Sequence, residues 1–82
     1  MKLFVANLNY EVSEEELREL FRQVGPIKRV HLATASGKSR GFGFVEYEDD
    51  LDASRAIDDL HGISFHGRRL AVKESTDGPR SR

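Results

Sequence analysis

The chain has 82 residues, a net charge of −1 and no cysteine, and this length makes a single domain. Without cysteine there is no disulfide and no thiolate metal site, which suits a reducing compartment such as the cytoplasm or the nucleus. No apolar run approaches the roughly 20 residues of a membrane-spanning helix, so we expect no membrane partner.

The first predicted element is a strand over residues 2–7, because side chains of opposite character alternate there with a period of two. Leu3 and Val5 lie on one face, and Lys2 and Phe4 lie on the other. A loop follows to residue 12. Within it, Asn7 could position a ligand or hold the loop, and the place of Tyr10, against the helix or beside the open sheet face, is left undecided.

The first predicted helix begins with a capping box, in which the Ser13 hydroxyl and the Glu16 carboxylate satisfy each other's backbone N–H groups. Apolar side chains then recur at the i, i+3, i+4 and i+7 spacing of one buried helix face. They are Leu17, Leu20, Phe21 and Val24. Gly25 in a left-handed conformation, followed by Pro26, should end the helix near residue 24.

Two further strands, over residues 27–33 and 40–47, flank a turn at residues 34–39, and so short a connection predicts antiparallel pairing. In the earlier strand Val30 and Leu32 point inward, which leaves Arg29 and His31 outward. The later strand carries aromatic rings on both faces. Its sequence is Arg40-Gly41-Phe42-Gly43-Phe44-Val45-Glu46-Tyr47.

The two charges of this octet decide which of its faces is open. Arg40 and Glu46 share a face with Phe42 and Phe44, and buried charges are costly without partners. Val45, Tyr47 and the two glycines are therefore predicted to face the core, where small residues let a helix approach closely. The two phenyl rings should lie uncovered beside the charges.

A second helix, capped by the acidic cluster at residues 48–50, repeats the apolar stripe and closes at Gly62. Its stripe consists of Ala53, Ala56, Ile57 and Leu60. A turn at residues 65–68 leads to the last strand, over residues 69–74, in which Leu70 and Val72 face inward and Lys73 faces outward. Residues 76–82 are predicted to be a flexible polar tail behind a domain of residues 1–75.

The order βαββαβ is that of the split βαβ, or ferredoxin-like, sandwich. We therefore predict an α+β fold with a four-stranded antiparallel sheet and both helices on one face, as right-handed crossovers require. Charge follows this division. Residues 1–24 and 48–62 carry −2 and −5, whereas residues 25–47 and 63–82 each carry +3. Acidic helices behind a basic sheet would steer an anionic ligand to the open face.

Residues 40–47 fit, position by position, the longer signature of the RNA recognition motif. Residues 3–8, Leu3-Phe4-Val5-Ala6-Asn7-Leu8, resemble the shorter signature of that family. The resemblance implies the sheet order four-one-three-two, which brings the rings of Phe4, Phe42 and Phe44 side by side. It also implies that Phe4 and Phe44 each stack a base, that Phe42 lies between two sugars, and that Arg40 meets a phosphate. At the place of Asn7 the resemblance implies a structural anchor of the loop.

The expected function is thus non-catalytic binding of single-stranded RNA by a monomeric domain, without cofactor or metal. Single-stranded DNA and a protein on the helical face stay open as further partners. Besides the three rings and Arg40, the outward residues that we expect to contact RNA are Lys2, Arg29, His31, Lys38, Glu46 and Lys73.

Two other functions were weighed against RNA binding. A protein-interaction module of the same fold would use the helical face or the open sheet, because exposed aromatic patches also mark protein interfaces. A small acyl-phosphate-type hydrolase would need an arginine and an asparagine converging in loops on a phosphate, whereas Arg40 leads directly into a strand. No nucleophile, base and orienting group occur together in the sequence, so no enzyme is predicted.

Overall fold

The computed structural model describes residues 1–35 and 38–75, with two helices and six strands among them. In chain order the elements are β1 (Lys2–Ala6), α1 (Glu14–Arg22), β2 (Ile27–Ala35), β3 (Lys38–Tyr47), α2 (Asp50–Leu60), β4 (Ser64–Phe65), β5 (Arg68–Arg69) and β6 (Ala71–Glu74).

Four of the strands form an antiparallel sheet in the order β2-β3-β1-β6. The first and third strands therefore occupy the middle, as the resemblance implied. The core lies on one side of this sheet, since buried side chains of both helices join buried side chains of β1, β3 and β6 in one cluster. The predicted α+β ferredoxin-like sandwich is confirmed.

The hairpin of β2 and β3 is longer than predicted. Thr34 pairs with Ser39 and Ala35 pairs with Lys38, so the strands continue into the segment that was expected to be a turn. The centre of that turn, residues 36 and 37, lies outside the described part of the chain. Backbone pairing between the two strands thus outweighs the loop-like composition of residues 34–39.

The start of α1 is as predicted, but its end is not. Ser13 caps the helix with its side chain, and Glu16 completes the capping box. The helix ends at Arg22, two residues earlier than expected, and Gly25 is absent from the residues with positive φ. The left-handed cap at Gly25 is therefore wrong. A Cβ at this position would instead collide with the side chain of Asp52, so glycine lets α2 approach closely.

Replacing Ser13 with alanine should lower the free energy of unfolding by about 1 kcal/mol, because an orphan backbone N–H at the helix start loses its acceptor. Urea denaturation monitored by circular dichroism measures the change. Ser54→Ala, at an exposed position inside α2, is the matched control and should cause no loss. An unchanged midpoint for Ser13→Ala would show that the cap does not contribute.

The same capping box has a pH dependence with a definite sign. The pKa of Glu16 lies below its ordinary value of 4.5, chiefly because the carboxylate accepts a hydrogen bond from the backbone N–H of Ser13, and also because His66 is near. A carboxyl group whose pKa is lowered by folding adds stability above its unfolded pKa. This contribution is lost as the pH falls through the lowered value of the folded state.

The last predicted strand is divided. Arg69 pairs with Ser64 in a separate small hairpin, β4–β5, whose turn has positive φ at both His66 and Gly67. Leu70 exchanges backbone hydrogen bonds with the segment after α2, so the sheet strand β6 begins only at Ala71. Arg69 is therefore exposed on a hairpin and does not belong to the open sheet face. Gly62 has a φ of 88°, as expected where α2 closes.

The core is apolar and is formed by side chains of both the helices and the sheet. Leu3, Val5, Leu17, Phe21 and Val45 are fully buried. Tyr47 is also buried, and its hydroxyl donates a hydrogen bond to the backbone oxygen of Phe21. Burial, together with the negative charge of Asp52, raises the pKa of Tyr47 well above its ordinary value. This hydrogen bond ties β3 to α1 from inside the core.

The predicted tail, residues 76–82, lies outside the described part of the chain. Within the described part, neither helix is long and apolar enough to span a lipid bilayer.

Candidate nucleic-acid interface

Three phenylalanine rings form a continuous aromatic surface on the sheet face opposite the helices. The ring of Phe4 lies 5.8 Å from that of Phe42 and 5.5 Å from that of Phe44, centroid to centroid. Their strand neighbours Leu3, Val5 and Val45 are fully buried on the other face. Strand alternation therefore directs the three rings away from the core.

The rings are half-buried rather than fully open. Phe4 and Phe44 are cross-strand partners, and Phe42 lies opposite Ala6. Phe4 contacts both other rings, and its interplanar angles of 45° with Phe42 and 52° with Phe44 are those of tilted rings. The three rings lie side by side, as the resemblance implied, but each is half-buried instead of uncovered.

Five of the remaining predicted residues lie in two rows that cross the sheet beside these rings. His31 pairs with Phe44 on one side, and Lys73 pairs with Phe4 on the other. His31 and Lys73 are both exposed. The central row of the face therefore crosses all four strands in the order His31, Phe44, Phe4 and Lys73. It consists of an imidazole ring, two phenyl rings and an ammonium group.

A second row runs parallel to it and contains three charges. Lys2 and Arg29 are the cross-strand partners of Glu46 on either side. The Arg29 Nε lies 3.5 Å from the Glu46 Oε1, and the Lys2 Nζ lies 5.3 Å from the centre of the Phe44 ring. The structure thus brings the Glu46 carboxylate and the basic side chains of Lys2 and Arg29 to the edge of the aromatic surface.

Arg40 is exposed at the other end of β3, where the strand is irregular. From Leu32 to Thr34 β2 advances by two residues, whereas the paired positions on β3, Gly43 and Ser39, are four residues apart. Extra residues in one strand of a pair make a bulge, which bends the strand. The bulge contains Gly41, whose φ of 88° favours glycine. Lys38 starts β3, but its side chain lies outside the described part of the chain.

The place of Tyr10, which the sequence left open, is beside this bulge. A Cβ on Gly41 would lie 3.0 Å from Cε1 of Tyr10, so the tyrosine ring rests against the strand. Tyr10 as a whole residue is 68% exposed. Tyr10 therefore flanks the strand that carries Arg40 and Phe42 instead of covering a helix.

The two glycines of β3 serve different purposes. A Cβ on Gly43 would lie 2.6 Å from the backbone oxygen of His31 and 3.4 Å from Leu17 of α1. Close approach by a helix was predicted at both glycines, but at Gly43 the tighter neighbour is the adjacent strand. At Gly41 the helix prediction is wrong, because its neighbours are Tyr10 and the backbone oxygen of Leu8.

Asn7 anchors the loop after β1, as expected. It has a φ of 62°, its Nδ2 donates to the backbone oxygen of Arg69 at 2.7 Å, and its Oδ1 accepts from Arg68 Nη2 at 2.7 Å. The predicted contact set omitted Arg68, whose guanidinium group reaches the loop after β1 from the β4–β5 hairpin. The sequence signal for Arg68 was the basic excess of residues 63–82.

The two histidines outside the sheet face, His61 and His66, have structural partners. The Nδ1 atom of His61 accepts a hydrogen bond from the backbone N–H of Val72 at 3.0 Å, and the Nε2 atom of His66 lies 3.2 Å from the Glu16 Oε2. Within residues 1–35 and 38–75, no three or more histidine and carboxylate side chains are grouped closely enough to hold a metal ion.

Comparison with known proteins points to one family of RNA-binding domains. The family model described as RNA recognition motif matches residues 3–71. RNA-binding protein RbpA of Synechocystis is 44% identical over 77 residues, covering 92% of this chain and 76% of that protein.

Solved structures agree with this match. The crystal structure of RNA-binding protein PG1 superimposes with a TM-score of 0.90 at 48% identity, covering 98% of this chain and 99% of that one. The Sxl-lethal protein/RNA complex has a TM-score of 0.89 at 33% identity, and the match covers 98% of this chain and 49% of that one.

Proposed function

The chain belongs to the RNA recognition motif family, and on this premise we propose that it binds single-stranded RNA on the open face of its sheet. The binding is non-catalytic and needs no cofactor. Residues 1–75 form the binding unit, which acts as a monomer in the cytoplasm or the nucleus. RNA-binding relatives and an RNA complex among the similar structures support this proposal.

The observation that carries the proposal is the joint aromatic surface of Phe4, Phe42 and Phe44. Every nucleobase has a π-face, and a base stacked on an aromatic side chain contributes about 1–3 kcal/mol. Stacks on Phe4 and Phe44 would together contribute roughly 2–6 kcal/mol. With phosphate contacts added, a single domain should bind with a dissociation constant on the order of micromolar, which corresponds to about −8 kcal/mol.

The rows around the rings suggest a division of roles. Phe42 supports the sugars between the two stacked bases, and Arg40 contacts a phosphate at the bulged end of β3. Lys38, at the start of the same strand, contacts the backbone as well. The outward residues that border the stacked bases contact base edges and phosphates: Lys2, Arg29, His31, Glu46 and Lys73.

A duplex should be a poor ligand, because base pairing hides both the faces and the edges that this surface contacts. Single-stranded DNA shares the stacking chemistry and should also bind. These ligands can be compared directly by fluorescence anisotropy with one labelled sequence in three forms, namely RNA, DNA and RNA annealed to its complement.

The test of the proposal is an NMR titration with a short unstructured RNA. Amide shifts should concentrate on β1 and β3, at Phe4, Phe42 and Phe44. Shifts confined to α1 and α2, or no shifts at micromolar to millimolar RNA, would contradict RNA binding by the sheet. The former result would favour a protein-interaction module that uses the helical face.

Binding should weaken with salt along a shallow slope. Each phosphate neutralised on a single strand contributes roughly −0.7 to the slope of log K against log salt, so a few contacts give a slope of about −1 to −3. Anisotropy titrations at several potassium chloride concentrations measure it. A much steeper slope would mean that phosphate contacts, rather than stacking, dominate the interface.

A further inference from the structure

The row of charges beside Phe44 lies where the edge of a stacked base would be. Glu46 follows Phe44 by two residues on the same face of β3, which places their Cα atoms about 7 Å apart. A base stacked on Phe44 extends beyond the phenyl ring. Its hydrogen-bonding edge can therefore reach the Glu46 carboxylate without moving the strand.

The carboxylate is held in place but keeps free acceptor capacity. Its side chain is 26% exposed, and its ion pair with Arg29 is long, with 3.5 Å between Nε and Oε1. A carboxylate has about four lone-pair sites, and this contact uses one. On the other side, Lys2 pairs with Glu46 across β1 and β3, and its Nζ lies over the Phe44 ring, 5.3 Å from the centroid. A base that stacks on Phe44 therefore displaces this flexible ammonium group toward the edge of the base.

The resulting pattern is an acceptor pair flanked by two cationic donors. Among the four RNA bases, only guanine presents two neighbouring donors on its Watson–Crick edge, N1–H and N2–H₂, which match the two oxygens of a carboxylate. The adjacent O6 is an acceptor that suits Lys2 or Arg29. Adenine and cytosine offer one amino group beside a ring acceptor, and uracil offers one N–H between two carbonyls.

We propose that Glu46, flanked by Lys2 and Arg29, selects guanine for the nucleotide that stacks on Phe44. This inference rests on the proposed RNA binding and adds the base that the site prefers. A bidentate pair between a side chain and a base supplies enough discrimination for about a tenfold or greater difference in affinity.

The experiment compares five-nucleotide RNAs that differ only at the central base in a uridine background. Anisotropy titrations would use guanine, inosine, adenine, cytosine and uracil at that position. We expect guanine to bind about tenfold or more tightly than adenine, cytosine or uracil. Inosine, which lacks the N2 amino group, should fall between guanine and the others.

The variant Glu46→Gln tests the residue itself. It removes one carboxylate oxygen and one negative charge, so affinity for every RNA can rise, and the informative quantity is the ratio of guanine to uracil affinity. This ratio should fall several-fold. Glu48→Gln is the matched control, because it makes the same chemical change at an exposed position two residues further on, and it should leave the ratio unchanged.

The possible failures are distinguishable. Equal affinities for all five RNAs, or a ratio unchanged in Glu46→Gln, would overturn guanine selection while leaving RNA binding intact. If none of the five RNAs bound, both the proposed function and the inference that rests on it would be overturned.

Discussion

Replacing Phe4 and Phe44 together with alanine is expected to abolish measurable RNA binding while the domain stays folded. Two lost stacks amount to roughly 2–6 kcal/mol, a decrease in affinity of about 30-fold to 10⁴-fold. From a micromolar starting point, most of this range lies beyond anisotropy titration. The fold should survive because both rings lie on the face opposite the core.

Each single variant should weaken binding by an intermediate amount. The matched control is Phe65→Ala, which removes a half-buried phenyl ring from the β4–β5 hairpin on the side of α1 and should leave RNA affinity unchanged. Loss of the cooperative thermal transition in the double variant would show that the two rings belong to the core. Retained micromolar binding by a folded double variant would contradict the stacking proposal.

Phe21→Ala should have the largest effect on stability. Phe21 is fully buried in α1, with its ring centre 6.5 Å from that of Tyr47. Truncating a buried phenylalanine removes apolar contacts and leaves a cavity, which costs about 3–5 kcal/mol. Small domains have total stabilities of only about 5–15 kcal/mol. We therefore expect the variant to be partly or wholly unfolded at 37 °C.

Urea denaturation gives the measurement, with Leu51→Ala as the control. Leu51 is an apolar residue of α2 that is 73% exposed, and its truncation should change the free energy of unfolding by less than about 0.5 kcal/mol. A loss below 1 kcal/mol for Phe21→Ala, with an unchanged denaturant slope, would mean that α1 does not pack on the sheet as described.

These two predictions test the two faces of one sheet separately, the first the candidate interface and the second the core. On β1, Leu3 and Val5 contribute to the core, whereas Phe4 between them contributes to the candidate interface. A strand can serve both purposes because its side chains alternate, and the pairing of β1 with both β3 and β6 holds the aromatic rings at constant spacing. The stability of the apolar layer is thus what makes the layer of the candidate interface rigid.

Local patterns were sufficient for most of the architecture. The Ser13–Glu16 capping box, the apolar stripes of α1 and α2, and the alternation of β1 and β3 each depend on neighbours within a few residues. For the same reason, the side of the sheet occupied by each ring was predictable. Such features depend on the period of the backbone, which holds whatever else surrounds the segment.

The wrong predictions concern places where segments that are remote in sequence come into contact. Gly25 resembled a helix cap, but its role depends on Asp52 of α2, which is remote in sequence. The last strand resembled one continuous element, but Leu70 bonds to the segment after α2, and Arg69 is drawn into the β4–β5 hairpin. The bulge around Gly41 and the contact of Tyr10 with it likewise arise from packing between elements.

By itself, therefore, the sequence determined the order of elements, the two faces of each strand and the identity of the aromatic residues. Only the tertiary structure decided that Phe4 touches both other rings and that Glu46 lies between Lys2 and Arg29. Periodicity is a property of the chain, whereas register between strands depends on how four strands align to bury one apolar layer. That alignment places the carboxylate at the edge of the aromatic surface.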